Sequence, residues 1–265
     1  MRRWWGEHKT TEFAAIDPAR TIAVLPTAAH EQHGPHLPVS VDTEINLGML
    51  RTVIETAPDD LDFRILPVQA VGKSNEHLHA PGTLTIPYHL AAELWIEIGL
   101  SVARAGVRKM VIVNSHGGNL DVIGIVAREL RVRAGMLVAK CQWGAFGTPE
   151  GLFSAREKTF GIHGGDVETS LMLHFRPDLV DMTHAQDFPS SAEAMDNYAS
   201  LRPTGPISYG WIASDLGPHG TVGEADRATA EKGRLTAAHQ AAGFIALLRD
   251  VERVDLATFG AFART

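Results

Sequence analysis

Thirteen residues, HEQHGPHLPVSVD at 30–42, carry three histidines, a glutamate and an aspartate, broken by one glycine and two prolines. Two later stretches have the same character, NSHGGN at 114–119 and GIHGGDVETS at 161–170. Glu31 and His33 are two apart, so in an extended segment their side chains point to one side. Asp42 follows a Pro-containing turn at the expected N-cap of the next helix, where an acidic side chain is favoured. His116 stands between a strand end and a Gly-Gly pair that lets the backbone approach a bound group. His163 lies in a second Gly-rich loop, with Glu168 in the first turn of a helix. Imidazole nitrogens and carboxylate oxygens are the donor set for zinc, manganese or iron at neutral pH. One carboxylate shared by two ions about 3.5–4 Å apart would make a hydrolytic site with a shared water as nucleophile. Bound metal lowers the pKa of such a water to roughly 7.

Each piece also has an ordinary reading. A lone loop histidine such as His116 is commonly a surface or hydrogen-bonded group, and Glu31 could be a solvated turn carboxylate. Asp42 could simply cap its helix, and Glu168 could offset a helix dipole. The convergence of two His-Gly loops at strand ends with acidic partners favours a metal site over a chance scatter.

Composition narrows the surroundings of that site. The 265 residues suit one large α/β domain or two small ones, with 45 % apolar and 21 % charged residues. A net charge of −7 without a Lys/Arg-rich run argues against nucleic acid or an anionic membrane surface as partner. The N-terminal MRRWWGEHKTTEF lacks the apolar core of a secretory signal, and no apolar stretch approaches the ~20 residues that span a bilayer. A cytoplasmic protein is expected. Cys141 is the only cysteine, so an intrachain disulfide and a thiolate metal cluster are excluded. No GxSxG elbow and no GxGxxG after a strand occur, which disfavours a serine hydrolase and a dinucleotide enzyme.

The elements that must position these residues alternate between short β-rich runs and longer helical patterns. Strands are expected at 21–29, 64–72, 109–115 and 136–143. Helices are expected at 42–57, 88–106, 119–135, 166–175 and 224–251. Such alternation implies βαβ units and a mainly parallel sheet covered on both faces. Ligands in these sheets bind beyond the carboxyl ends of the strands. The 31–42 and 114–119 loops follow two of those strands, so both are expected at one edge of the sheet. The segments 144–162 and 182–220, the latter rich in Gly, Pro and Ser, are read as loops that shape a pocket.

The stretches EQHGPHLPVSVD (31–42), NSHGGN (114–119) and HGGDVETSLML (163–173) closely resemble the creatininase family of metal-dependent amidohydrolases, in its HGGN branch. HAPGTLTI (79–86), RPDLVD (176–181) and AEKG (230–233) support the resemblance. It implies a single three-layer α/β/α domain over residues 1–265, with its core at about 20–250 and a mainly parallel central sheet. It implies two divalent ions per chain, zinc foremost and manganese or iron otherwise, and a homo-oligomer, commonly a hexamer. By position, Asp42 would be the shared carboxylate, Glu31 and His116 would complete one ion, and His33 and Glu168 the other. His163 would carry the proton to the leaving nitrogen. His36 would orient neighbours or face the substrate rather than bind metal.

The implied activity is hydrolysis of a C–N amide bond, cyclic or formyl, in a small molecule by a hydroxide shared between the ions. The alternatives are a family peptidase that trims a cofactor-precursor peptide, and a metal- or small-molecule-binding protein without turnover. Two departures bear on substrate. Creatininase carries a ligating glutamate where this chain has Gly118, and an aromatic enclosing the creatinine ring just before the third motif, which is missing here, where the chain reads FGIHGG with Ile162 beside His163. Trp143 could line the pocket or pack on the sheet, and the Trp4-Trp5 pair could serve an interface or the monomer's own packing.

Overall fold

A computed structural model of the chain describes residues 2–258. Its elements, in chain order, are α1 (Thr10–Phe13), β1 (Ile22–Thr27), α2 (Val41–Thr56), β2 (Phe63–Ile65), α3 (Tyr88–Arg104), β3 (Lys109–Asn114) and α4 (Leu120–Ala134). They continue as β4 (Leu137–Gln142), α5 (Ala155–Phe160), α6 (Asp166–Phe175), β5 (Asp187–Phe188), α7 (Ala213–Leu216), β6 (Gly223–Glu224) and α8 (Ala230–Arg253). The central sheet has the order β2-β1-β3-β4 and is parallel throughout, while β5 and β6 form a small antiparallel pair.

Strands β1 and β3 lie at the centre and are buried at every position, which explains their continuous apolar sequence in place of alternation. Alternate residues feed opposite faces. Ile22, Val24, Val111 and Val113 pack with residues of α2, α6 and α8. Ala23, Leu25, Met110 and Ile112 pack with residues of α3 and α4. Two helical layers thus cover one parallel sheet, the three-layer α/β/α arrangement expected from the alternating pattern.

Local chemistry sets the helix ends. Ala57 leaves the helical region beside Pro58, as a residue before proline does. Gly135 adopts φ 65° after α4 and donates to the Arg131 carbonyl at 3.1 Å, a left-handed cap. Trp4 and Trp5 both pack within the monomer. Trp4 bridges Ile65 of edge strand β2, and Trp5 lies 4.6 Å from the Phe13 ring.

Three expected boundaries change. The run 64–72 gives a regular ladder only at Phe63–Ile65, because the pairing moves from Val24↔Ile65 to Thr27↔Gln69. One residue is inserted there, beside Pro67, which has no N–H to donate. The run 224–251 begins as β6 and a short 3-10 turn, and its helix starts at Ala230 behind the Thr229 cap, whose hydroxyl accepts from Lys232 N at 3.2 Å. The expected 144–162 loop contains α5.

The sheet register levels its carboxyl edge, with Thr27 beside Asn114 and Asn114 beside Gln142. The loops after β1, β2, β3 and β4 therefore leave from the same edge. Helix α6, which carries Glu168, is held against that edge by close approach to α8. A methyl group on Gly233 would overlap the Ser170 carbonyl. Gly233→Ala is expected to destabilise the fold by about 1–3 kcal/mol through overpacking, read from the urea midpoint at unchanged m value. An unchanged midpoint would mean that the α6–α8 contact is loose.

Candidate active site

The first loop is built from β1 outward. Glu31 N donates to the Val39 carbonyl at 2.9 Å, which folds 31–39 back on itself, and Gly34 turns the chain at φ 81°. Asn46, one turn after Asp42, donates to the Thr27 carbonyl at 3.0 Å, and Ser115 Oγ donates to the Asp42 carbonyl at 2.8 Å. These bonds tie the start of α2 to the ends of β1 and β3. Asp42 is the second residue of α2 rather than its N-cap, which is Ser40. Buried Asn119 clamps three loops at once: it donates to the Ala28 carbonyl at 3.0 Å and to Asn114 Oδ1 at 3.1 Å, and accepts from Lys73 N at 3.0 Å. That role accounts for both asparagines of NSHGGN.

The side chains meet in one buried cluster. His116 Nδ1 lies 3.1 Å from Glu31 Oε1 and 3.5 Å from Asp42 Oδ2. His33 Nε2 lies 4.0 Å from Glu31 Oε1, 3.8 Å from Asp42 Oδ1 and 3.9 Å from Glu168 Oε2. His163 Nδ1 is 3.7 Å from Glu31 Oε1, and its ring stacks on His33 at 4.2 Å between centroids. Glu31/Asp42/His116 and His33/Asp42/Glu168 each have donor atoms close enough to hold one ion, with Asp42 common to both.

Each imidazole has its outward nitrogen occupied by a backbone carbonyl. His33 Nδ1 faces Glu31 O at 3.0 Å, His116 Nε2 faces Lys73 O at 2.8 Å, and His163 Nε2 faces Gln32 O at 2.6 Å. Donation to those carbonyls leaves the inward nitrogen of neutral His33 and His163 as a lone pair, and His116 would present the same tautomer once it sheds its second proton. Glu31 Oε2, His33 Nε2 and Asp42 Oδ2 are buried without a hydrogen-bond partner. Buried polar atoms are ordinarily satisfied, so this donor set fits divalent cations.

The electrostatics agree. Burial raises the Asp42 carboxyl well above its usual range, and the neighbouring Glu31 charge adds to this. Glu168 is raised by burial as well. Burial works against a charged His116, yet Glu31, Asp42 and Glu76 together hold it up at about 10. His33 and His163 are pushed down to about 4, chiefly by burial, and are neutral at pH 7. Glu168 is the most open member, with its side chain 25 % exposed, and it accepts from Gly164 N at 2.6 Å.

Other expected residues sit apart from the cluster. His36 Nε2 bonds Thr169 Oγ1 at 2.9 Å and its ring stacks on Phe188 at 5.5 Å, so it buttresses the first turn of α6. Trp143 is buried, with Nε1 donating to Asn46 Oδ1 at 3.2 Å and its ring 5.0 Å from Phe244. That is packing on the sheet.

The structure also brings in residues that sequence reasoning passed over. His77 Nε2 lies 3.6 Å from Glu31 Oε2, and its ring is 4.4 Å from that of His163. Glu76 Oε1 lies 3.6 Å from His116 Nε2 and pairs through Oε2 with Lys73 Nζ at 2.7 Å. Both come from the loop after β2. The signal was available in SNEHLH at 74–79, a third acidic-histidine group beyond a strand. A Cβ on Gly118 would overlap the Glu76 carboxylate, the His116 ring and the Lys73 carbonyl. Only glycine fits there while the 73–77 loop backs His116.

Two expected outcomes follow from this geometry. His116, held up at about 10, is protonated at pH 7 in the metal-free protein and must shed that proton to bind a cation. Zinc added to chelator-treated protein at pH 7 is expected to release about one proton per chain or more, and to bind more tightly as pH rises. Calorimetry in buffers of different ionisation enthalpy reads this, and zero release would contradict the charge assignment. Gly118→Ala is expected to weaken zinc binding by about 10–100-fold through the displaced His116, measured by competition with a chromophoric chelator.

Comparison with known proteins bears on the same residues. The sequence profile of the creatininase family, described as creatinine amidohydrolase, matches residues 6–248. The mycofactocin precursor peptide peptidase of Mycobacterium ulcerans is 30 % identical over 234 residues, covering 86 % of this chain and 85 % of that protein. The creatinine amidohydrolase of Pseudomonas putida is 28 % identical over 247 residues, covering 87 % and 88 %. A mutant creatininase solved in a Zn–Zn type shares the fold at a TM-score of 0.74, with 24 % identity over 96 % of this chain and 100 % of that one. The chain belongs to the creatininase family.

Proposed function

We propose that this protein is a metal-dependent amidohydrolase that cleaves a C–N amide bond, cyclic or formyl, in a small molecule. Glu31, Asp42 and His116 would hold one divalent ion, and His33, Asp42 and Glu168 would hold the second. The observation that carries this reading is the set of unpartnered buried atoms, Glu31 Oε2, His33 Nε2 and Asp42 Oδ2, among imidazoles already oriented by backbone carbonyls. Zinc is the favoured ion, supported by the donor set and by the Zn–Zn relative of the same fold, with manganese or iron as alternatives. Two such ions supply Lewis-acid polarisation of the amide carbonyl and a water of lowered pKa.

The chain's own groups do the rest. Burial keeps His163 neutral, and the bond from Nε2 to the Gln32 carbonyl leaves Nδ1 free on the cluster side. His163 Nδ1 takes the proton lost by the attacking water and delivers it to the departing nitrogen, acting as base and then acid. The stacked His33 ring and the tilted His77 ring flank His163 and orient it for that transfer. His77 is itself backed by Gln32, whose amide nitrogen lies 2.9 Å from its Nδ1.

Creatinine is disfavoured as substrate. The ring-enclosing aromatic is missing from FGIHGG at 160–165, and Trp143 is committed to the core. Trp211 stands edge-on to His77, 6.4 Å between ring centroids. A second reading, cleavage of a precursor peptide, is favoured by the mycobacterial peptidase that aligns over most of the chain.

Plasma mass spectrometry of the purified protein is expected to find about two metal ions per chain, falling toward one in Glu168→Ala. His163→Ala is expected to keep its metal and lose about 10²–10⁴-fold in kcat. Metal loss in that variant would move His163 into the ligand set. The zinc-loaded protein should be offered creatinine, N-formyl amides and short peptides in parallel. Turnover of peptides alone selects the peptidase reading, and full metal with no turnover on any panel member would argue for a binding protein.

A further inference from the structure

Glu157 is a buried titratable group that the proposed chemistry leaves unused. Its sequence context, SARE at 154–157, reads as a capping box in which Ser154 and Glu157 satisfy each other's amides at the start of a helix. Half of that pattern is present: Ser154 Oγ accepts from Glu157 N at 2.9 Å. The carboxylate does not return to Ser154. It turns inward, where Oε1 accepts from Val167 N at 3.2 Å and Oε2 accepts from Glu224 N at 2.8 Å. Ser154 Oγ donates instead to Glu224.

Three glycines from two segments close around that carboxylate. A Cβ on Gly161, Gly165 or Gly223 would meet Glu157 oxygens inside contact distance. Gly161 and Gly165 bracket His163, Val167 precedes Glu168, and Gly223 follows Val222, whose N–H donates to the His163 carbonyl at 2.9 Å. Both hydrogen-bonded amides thus belong to the segments that present His163 and Glu168. A shorter side chain would leave a space that the glycines cannot fill, since they have no side chain to move into it.

We propose that Glu157 is a positioning residue of the active centre, its carboxyl group gathering the 161–165 loop, the first turn of α6 and β6 so that His163 and Glu168 face the metal ligands. The part concerning Glu168 rests on the metal reading above. Its surroundings suit a fixed structural acceptor. Burial pushes the Glu157 carboxyl up to about 7, opposed by the Glu224 and Val167 amides and reinforced by the Asp166 and Glu224 charges. Those two neighbours have cations of their own, Lys232 on Asp166 at 2.5 Å and Arg227 on Glu224 at 2.9 Å, with Arg156 3.9 Å from Glu224.

The test compares the full chain with Glu157→Ala and Glu157→Gln by amide hydrogen exchange and by zinc titration after chelator treatment. In Glu157→Ala, exchange at Val167 and Glu224 is expected to rise about tenfold or more, while β1 and β3 amides keep their protection. Glu157→Gln retains the volume and one acceptor, so it should restore one of the two amides. One of two zinc equivalents should weaken by about 10–100-fold in Glu157→Ala, and by less in Glu157→Gln. Unchanged exchange at both amides, or loosening spread evenly over the chain in both variants, would overturn the proposal. Zinc binding that survives intact in Glu157→Ala would overturn the positioning role alone. Failure of the unaltered chain to take up zinc would sink the metal reading, and the exchange result would still decide whether Glu157 holds the loop. Should Glu157→Ala not fold, the single-amide loss in Glu157→Gln carries the test.

Discussion

Three carboxylates, Glu31, Asp42 and Glu168, share one small volume with His33, His116 and His163, almost wholly out of water. Like charges withdrawn from solvent repel, and each buried ion carries a desolvation penalty of several kcal/mol. The cluster therefore exists only because the rest of the molecule is rigid enough to hold it. The protonated His116 relieves part of the repulsion in the metal-free protein, and divalent cations would relieve it more fully. Much of the surrounding architecture can be understood as support for that arrangement.

The support has two parts. The parallel sheet, buried on both faces, ends β1, β3 and β4 level and launches the loops that carry Glu31, His33, His77 and His116 from one edge. Short polar bonds then lock those loops to one another: Asn46 and Ser115 between α2 and the strand ends, Asn119 among three loops, and Glu157 between α5, the His163 loop and β6. Glycines recur where these supports crowd. Gly118 admits Glu76 behind His116, and Gly233 admits α6 beside α8. In each case the small residue serves a neighbour's approach rather than its own backbone freedom.

Legibility from sequence varied with the range of the interaction. The alternation of apolar strands and amphipathic helices was readable because it is local, and it placed both His-Gly loops on one edge. Boundaries slipped where a single residue broke a pattern, at Pro67 in β2 and at the Thr229 cap of α8. Glu76 and His77 were overlooked because the run 64–72 looked like an ordinary strand and drew attention from the loop behind it. Glu157 was not legible because the segment 144–162 read as a loop, and the amides that its carboxylate accepts from lie at 167 and 224.

The sequence by itself determined the fold class, the donor chemistry and the family, because these depend on periodicity and on which side chains occupy a few tightly spaced motifs. Only the tertiary structure decided which nitrogen of each imidazole faces inward, that Trp143 belongs to the core, and that the loop after β2 backs His116. Those outcomes depend on carbonyls, amides and rings contributed by residues tens of positions away. No local pattern encodes such partners, since they become neighbours only when the sheet brings its loops to a common edge.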